Sequence, residues 1–231
     1  MLTLTCTLQN QPTEKIEKHP LQIRDCGLAD YGQTLQLQHQ LSRQRQREKI
    51  PNTALIVEHP AVVTLGARQS LNKLRVSRQY LATRHIDVVA IRRGGGATAH
   101  NPGQLVCYPI LHIEQLGLGI GQYIRTLEAI GAELLGELGL ASTRRKGAPG
   151  LWVGERKIAS VGVRVSRFVT YHGIAINIRN DLSIFDLIVP CGLDNVEMTS
   201  AQSQTGRDHS MNQAKRNLAT LLRRHFGADR Q

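Results

Sequence analysis

Aromatic residues make up only 4% of the 231-residue chain, and acids are scarce beside bases: 18 Asp and Glu against 29 Lys and Arg, a formal charge of +11. The four cysteines, Cys6, Cys26, Cys107 and Cys191, form no CxxC pair and no short recurring spacing. A disulfide framework or a cysteine zinc site therefore has little support, and separated free thiols fit a reducing, cytoplasmic setting. No window approaches the roughly 18 consecutive apolar residues of a membrane span. The opening MLTLTCTLQNQPTEKIEKHP lacks both a basic start and a long apolar run, so a standard signal peptide is not expected. With no zinc-finger spacing and no RNP-like aromatic pattern, nucleic-acid recognition has nothing beyond charge behind it.

What the chain does have is a core's worth of apolar residues, 41%, with 20% charged, the composition of a folded globular protein. Its length suits one large domain or two small ones. The charge is concentrated. Residues 71–100 carry six basic residues and one acid, residues 141–170 seven and one, and the remainder sums to zero. Such segments are candidates to steer an acidic protein or an anionic ligand, against the plainer reading of a solvated basic surface.

The patterning predicts a largely polar helix from about Leu28 to Lys49, with Leu35, His39 and Ser42 on related turns and Pro51 as its stop. Strands follow in TALIVEHP, AVVTLG, DVVAIRR and QLVCYPI, with a short helix near Ser77–Arg84. Residues 120–139 have the strongest helical period, with Gly139 as carboxyl cap. Residues 151–177 read as a strand meander broken at Gly154 and near Arg167, and a terminal helix begins near Ser210. The expected fold class is mixed α/β, mixed sheets with flanking helices. We expect a lead-in at 1–27, in which a first strand can begin near Leu2, and one catalytic domain over 28–231, with 187–231 as a candidate small terminal lobe.

Three local signals carry chemistry. In RRGGGATAHNPGQ, residues 92–104, Gly94, Gly95 and Gly96 permit close backbone approach, with Arg93 and His100 at the edges. The segment lacks the GK[ST] of a P-loop and the spacing of a dinucleotide fingerprint, so it is a ligand wall or a structural turn. In GERKIASVG, Lys157 interrupts a strand; an exposed lysine on an edge strand is the bland alternative to a catalytic one. Ser160 lacks a GxSxG elbow. In IVPCGL, Cys191 lies between proline and glycine, where a turn presents a thiol; a buried structural cysteine competes with a nucleophile. Cys107, inside QLVCYPI, reads as core.

Taken in order, RGGGATAHNPGQ (93–104), RKGAPGLWVGERKIASVG (145–162), YHGIAIN (171–177) and IVPCGL (188–193) resemble the lipoyl(octanoyl) transferase family. The resemblance runs through roughly residues 28–200 and implies the fold of the biotin/lipoate protein ligase catalytic domain. It implies Cys191 as the acyl-accepting nucleophile and Lys157 as the residue that lowers its pKa and handles protons. The implied substrate pocket comprises Arg93, Gly94, Gly95, Gly96, Ala97, Thr98, Ala99 and His100, then Ser160, Val161 and Gly162, then Gly173, Ile174 and Ala175; His172 also matches the pattern. Ala99 stands where the family commonly has an aromatic residue and Asn101 where glycine is frequent, and both bear on pocket shape.

The implied donor is octanoyl-acyl-carrier protein. The implied acceptors are apo lipoyl domains of 2-oxoacid dehydrogenases and the glycine cleavage H protein, and the enzyme is expected to act as a monomer without metal, ATP, nucleic acid or membrane. Backbone amides near Gly162 or Gly192 are candidates to meet an oxyanion. An ATP-dependent lipoate- or biotin-protein ligase and a noncatalytic basic binding protein are the alternatives. Cys191 separates them, because a ligase working through an acyl-adenylate needs no enzyme thioester.

Overall fold

The computed structural model of the protein describes residues 21–192 and 196–227, with Cys191 through its backbone alone. Cys6 and the strand expected near Leu2 lie outside the described residues. In chain order the elements are β1 (Gln22–Leu28), α1 (Tyr31–Gln46), β2 (Thr53–Glu58), β3 (Val62–Leu65), α2 (Arg78–Thr83), β4 (Asp87–Ala90), β5 (Thr98–His100) and β6 (Gln104–Ile110). There follow α3 (Ile120–Glu137), β7 (Thr143–Arg145), β8 (Ala148–Val153), β9 (Arg156–Ser166), β10 (Val169–Asn177), α4 (Ala201–Thr205) and α5 (Met211–Phe226). Seven strands form the main sheet in the order β1-β2-β6-β10-β9-β8-β7, and three form a small sheet in the order β4-β3-β5. This is the mixed α/β class that the sequence predicts.

The central strands are buried on both faces, which is why β2 and β6 read as nearly continuous apolar runs. Ala54, Ile56, Leu105 and Cys107 point into the larger core with α3 and α5, while Leu55, Val57, Val106 and Tyr108 point into a core shared with α1. The stripe of α3, with Leu127, Ile130, Leu134 and Leu135 buried, covers the first face. The helix caps at Leu138, and Gly139 follows at φ +84°, the left-handed position that glycine takes without a Cβ clash. The small sheet packs its own core, Val63, Ala97 and Ala99 against Ile184, Phe185, Ile188 and Met198.

Several expectations change. Residues 22–28 are not a lead-in but β1, parallel to β2 at the sheet edge. Its exposed pattern, Asp25 and a glycine at φ +62° hide the period. Helix α1 is shorter than expected and buries Tyr31, Thr34, Gln38, Leu41, Ser42 and Arg45, so its inner stripe is not that of Leu35 and His39. The last helix forms no lobe of its own: Met211, Ala214, Leu218, Leu221, Leu222 and Phe226 belong to the main core. Their apolar stripe is satisfied by α3 and the sheet. Among the described residues, no helix is long and apolar enough to cross a membrane.

Candidate active site

On the α1 face of the sheet, β9 and β10 place Gly162 opposite Gly173 and Ser160 opposite Ala175. Four small residues side by side leave a groove, which the glycine loop roofs. Gly94 N–H donates to the Val163 carbonyl at 3.0 Å, and Ala67 N–H donates to the Arg93 carbonyl at 2.9 Å. Gly66 has no alternative, because a Cβ there would lie 2.2 Å from the Gly95 carbonyl oxygen. Arg93 is buried and braces the loop: its guanidinium donates to the Thr64 carbonyl (3.0 Å), the Thr64 hydroxyl (2.8 Å) and the Gly94 carbonyl (3.1 Å). Tyr31, Val106, Tyr108, His100 and His172 complete a narrow slot with a free volume of about 40 Å³.

The polar end of that slot is aromatic and uncharged. His59 pairs with the Ala29 carbonyl (2.7 Å) and the Tyr108 hydroxyl (2.9 Å), His100 with Gln104 Oε1 (2.7 Å), and Tyr31 stacks on His100 with centroids 5.7 Å apart. Burial, with the neighbouring His59 next, pulls the His100 pKa down to about 3. Burial, then Arg93, does the same to His172, also about 3. His172 sits at φ +57°, which departs from strand geometry, and its ring lies 5.0 Å from that of Tyr171. Its main-chain N–H donates to Gln38 Oε1 at 2.8 Å, while its Nδ1 is buried with no hydrogen-bond partner among the described residues.

Lys157 is not an exposed edge lysine. Strand β9 lies between β10 and β8, and the residue is 1% exposed. Its ammonium donates to the Pro149 carbonyl at 3.2 Å and lies 5.4 Å from the centre of the Trp152 ring. Its backbone is bracketed by the stretch after the Cys191 turn: Lys157 N–H donates to the Glu197 carbonyl and Thr199 N–H to the Lys157 carbonyl, each at 2.9 Å. The turn itself, Pro190–Gly192, is a short 3-10 segment. Gly192, at φ +69°, packs so closely on Leu71 that a Cβ would fall 2.6 Å from that side chain. Leu71 also accepts the Ala97 N–H at 3.2 Å. The turn carrying Cys191 thus rests on Leu71, against which Gly96 of the glycine loop is also pressed, and residues 197 and 199 farther along the chain pair with the Lys157 backbone. The side chain of Cys191 lies outside the described residues.

Comparison with known proteins sets this geometry in a family. Residues 30–223 match the lipoyl protein ligase A/B catalytic domain. A protein of Syntrophobacter fumaroxidans named octanoyltransferase is 44% identical over 209 residues, 90% of this chain and 92% of that one. Another of the same name, from Desulfovibrio desulfuricans, is 40% identical over 181 residues, 78% and 76% of the two chains. The chain belongs to the lipoyl protein ligase A/B catalytic-domain family, on its octanoyltransferase branch. The solved structure of lipoate-protein ligase A bound with ATP shares the fold, with TM-score 0.66 at 16% identity over 89% of this chain and 84% of that one. So does the bipartite lipoate protein ligase of Thermoplasma acidophilum, with TM-score 0.64 at 15% identity over 89% and 82%.

For this octanoyltransferase-family chain, the slot gathers eleven of the fourteen pocket residues expected from sequence: Arg93, Gly94, Gly95, Thr98, His100, Ser160, Val161, Gly162, Gly173, Ile174 and Ala175. The other three do not line it. Ala97 and Ala99 are fully buried in the small-sheet core, and Gly96 is pressed against Leu71. Of the two oxyanion candidates, the Gly192 amide is already committed to the Val189 carbonyl at 3.1 Å. Sequence reasoning missed Tyr31, His59, Val106 and Tyr108. His59 left one signal, a polar residue that closes the apolar run TALIVE just before Pro60. Among the described residues no group of His, Cys, Asp and Glu is arranged to hold a metal.

Proposed function

We propose that the chain transfers an octanoyl group from octanoyl-acyl-carrier protein to a lysine ε-amine of an apo lipoyl domain, through an acyl thioester on Cys191, in protein lipoylation. The observation that carries this reading is the 44% identity to a named octanoyltransferase over nine-tenths of both chains. The acceptors are the lipoyl domains of 2-oxoacid dehydrogenases and the glycine cleavage H protein, and the enzyme works as a cytoplasmic monomer.

In the first half-reaction the Cys191 thiolate attacks the donor's thioester carbonyl, and the carrier thiolate leaves and takes up a proton. In the second, the acceptor amine attacks the new thioester, loses a proton, and expels Cys191 as thiolate. Lys157 fits both proton transfers, and its ammonium favours the thiolate form of a neighbouring cysteine. Exchange of a thioester for an amide needs no ATP. The acyl tail supplies binding: each buried CH₂ contributes about 0.8 kcal/mol, so an octanoyl chain approaches about 5 kcal/mol before ordering costs.

Intact-protein mass spectrometry after addition of octanoyl-carrier protein tests this. One octanoyl group is expected on the peptide bearing Cys191, lost when an apo lipoyl domain is added and recovered on that domain. Transfer that requires ATP and passes through no sulfur-linked adduct would instead make the chain a ligase.

A further inference from the structure

The roof of the slot has a second side. Behind the glycine loop lies a cavity of about 540 Å³, walled by Gly66, Gln69, Asn72, Arg92 and Arg164 among others. The two spaces share the loop as a partition, since Gly66 lines the cavity and packs on Gly95, which lines the slot. Arg92 adjoins Arg93 of the slot, and Arg164 lies two residues beyond Gly162 on β9.

The cavity is wide, and Arg92 and Arg164 are the two charged side chains among its described lining residues. Arg92 and Arg164 are exposed, and neither side chain makes a hydrogen bond or ion pair among the described residues. Between Glu58 and Glu114 the only acid is Asp87. It opens β4 while Arg92 follows that strand's far end, and five extended residues span about 16 Å, beyond a Debye length of about 8 Å. Between Glu155 and Asp181 no acid occurs at all. Asn72 Nδ2 donates to the Gly66 carbonyl at 2.8 Å and so ties the wall of the cavity to the loop. Guanidiniums suit a phosphate.

We propose that this cavity holds the phosphopantetheine arm of the acyl-carrier donor, its phosphodiester on Arg92 and Arg164. The assignment rests on the octanoyl-transfer reading. It specifies how the donor is distinguished from the acyl group it carries: the slot takes the tail, and the cavity takes the arm. A slot alone would treat any octanoyl thioester alike.

The test uses the full chain and measures inhibition of octanoyl transfer from carrier protein by free 4′-phosphopantetheine and by pantetheine, which differ only in the phosphate. Two charge-assisted contacts should make the phosphorylated arm the tighter inhibitor by about 10- to 100-fold. Arg92→Gln and Arg164→Gln should each shrink that ratio, and the double variant should bring it near one. Equal inhibition by both arms, inhibition by neither, or a ratio that survives the double variant overturns the proposal. ATP in the same assay separates the other source of phosphate: arginine-dependent inhibition by ATP at lower concentration than 4′-phosphopantetheine would make the cavity a nucleotide site. Absence of octanoyl transfer from the carrier protein would remove the functional reading itself, an outcome distinct from all of these.

Discussion

Asn177 donates its side-chain N–H to the Thr199 carbonyl at 2.9 Å, with both residues 1% exposed. Thr199 in turn donates its N–H to the Lys157 carbonyl, and Asn177 Oδ1 accepts from Gln104, whose own Oε1 pairs with His100. A buried chain of hydrogen bonds therefore runs from the histidine of the slot, across β6 and β10, to the backbone of Lys157. Such a network is costly when partly satisfied and rigid when complete.

Replacing Asn177 by Ala should accordingly destabilise the fold by about 1–3 kcal/mol, because the Thr199 carbonyl loses its side-chain donor in a site closed to water. The same change loosens the stretch that brackets Lys157, so acyl transfer should fall further than stability alone requires. Urea unfolding together with single-turnover acylation at a temperature where the variant remains folded separates the two effects. A variant with reduced stability and wild-type acylation would limit Asn177 to a structural role.

How much of this was legible in sequence depends on what each element buries. Helix α3 and strands β2 and β6 bury hydrocarbon, so periodicity gave their positions to within a few residues. Helix α1 faces the sheet with Gln38 and Arg45, which pair with the His172 backbone and with Asn52, and no hydrophobic pattern can announce a polar inner face. The slot divides in the same way. Residues on the glycine loop and on β9 and β10 stand in recognisable blocks, whereas Tyr31, His59 and Tyr108 come together only through packing of α1 and the small sheet against the main sheet. For Lys157 an exposed edge position stood as the alternative to a catalytic one because a lone charge in a strand is usually exposed; the strand order shows it to be central.

Gly173 lies in a block associated with substrate binding, yet the structure gives it a second constraint. A Cβ there would fall 2.1 Å from the Cys107 carbonyl oxygen of β6. Gly173→Ala should thus force β6 and β10 apart and cost about 1–3 kcal/mol or more, as overpacking does. The midpoint of chemical denaturation measures it. An alanine variant of unchanged stability that binds acyl donor poorly would show that the glycine serves the ligand instead.

The two neutral histidines of the slot predict a stability profile. Burial lowers His100 and His172 to about 3 in the folded chain, whereas both titrate near 6.5 when unfolded. Between those values the unfolded chain binds more protons, so stability rises with pH there: the contribution is fully present above about 6.5 and is lost as pH falls toward 3. Each histidine contributes a slope of up to about 1.4 kcal/mol per pH unit within that window. His172→Asn keeps a residue that tolerates positive φ and removes one titration, so its denaturation midpoint should fall less between pH 7 and pH 5 than that of the wild type. Equal pH dependence in both proteins would mean that His172 titrates in the folded chain as it does in the unfolded one.

Lys157→Met replaces a buried ammonium by an unbranched apolar side chain of similar volume beside Trp152 and Pro149. The fold should persist, because the backbone bonds to Glu197 and Thr199 do not involve the side chain. On the proposed mechanism, loss of the ammonium removes both a cation that favours the Cys191 thiolate and a group that moves protons, so single-turnover acylation by octanoyl-carrier protein should fall by about 10²- to 10⁴-fold. Lys157→Arg distinguishes the two contributions. Its charge survives but its proton is not exchanged, so recovery of the rate would assign the lysine to thiolate stabilisation, and continued loss would assign it to proton transfer or to a site too tight for a guanidinium. Wild-type acylation in the methionine variant would remove Lys157 from the chemistry and leave its burial as packing alone.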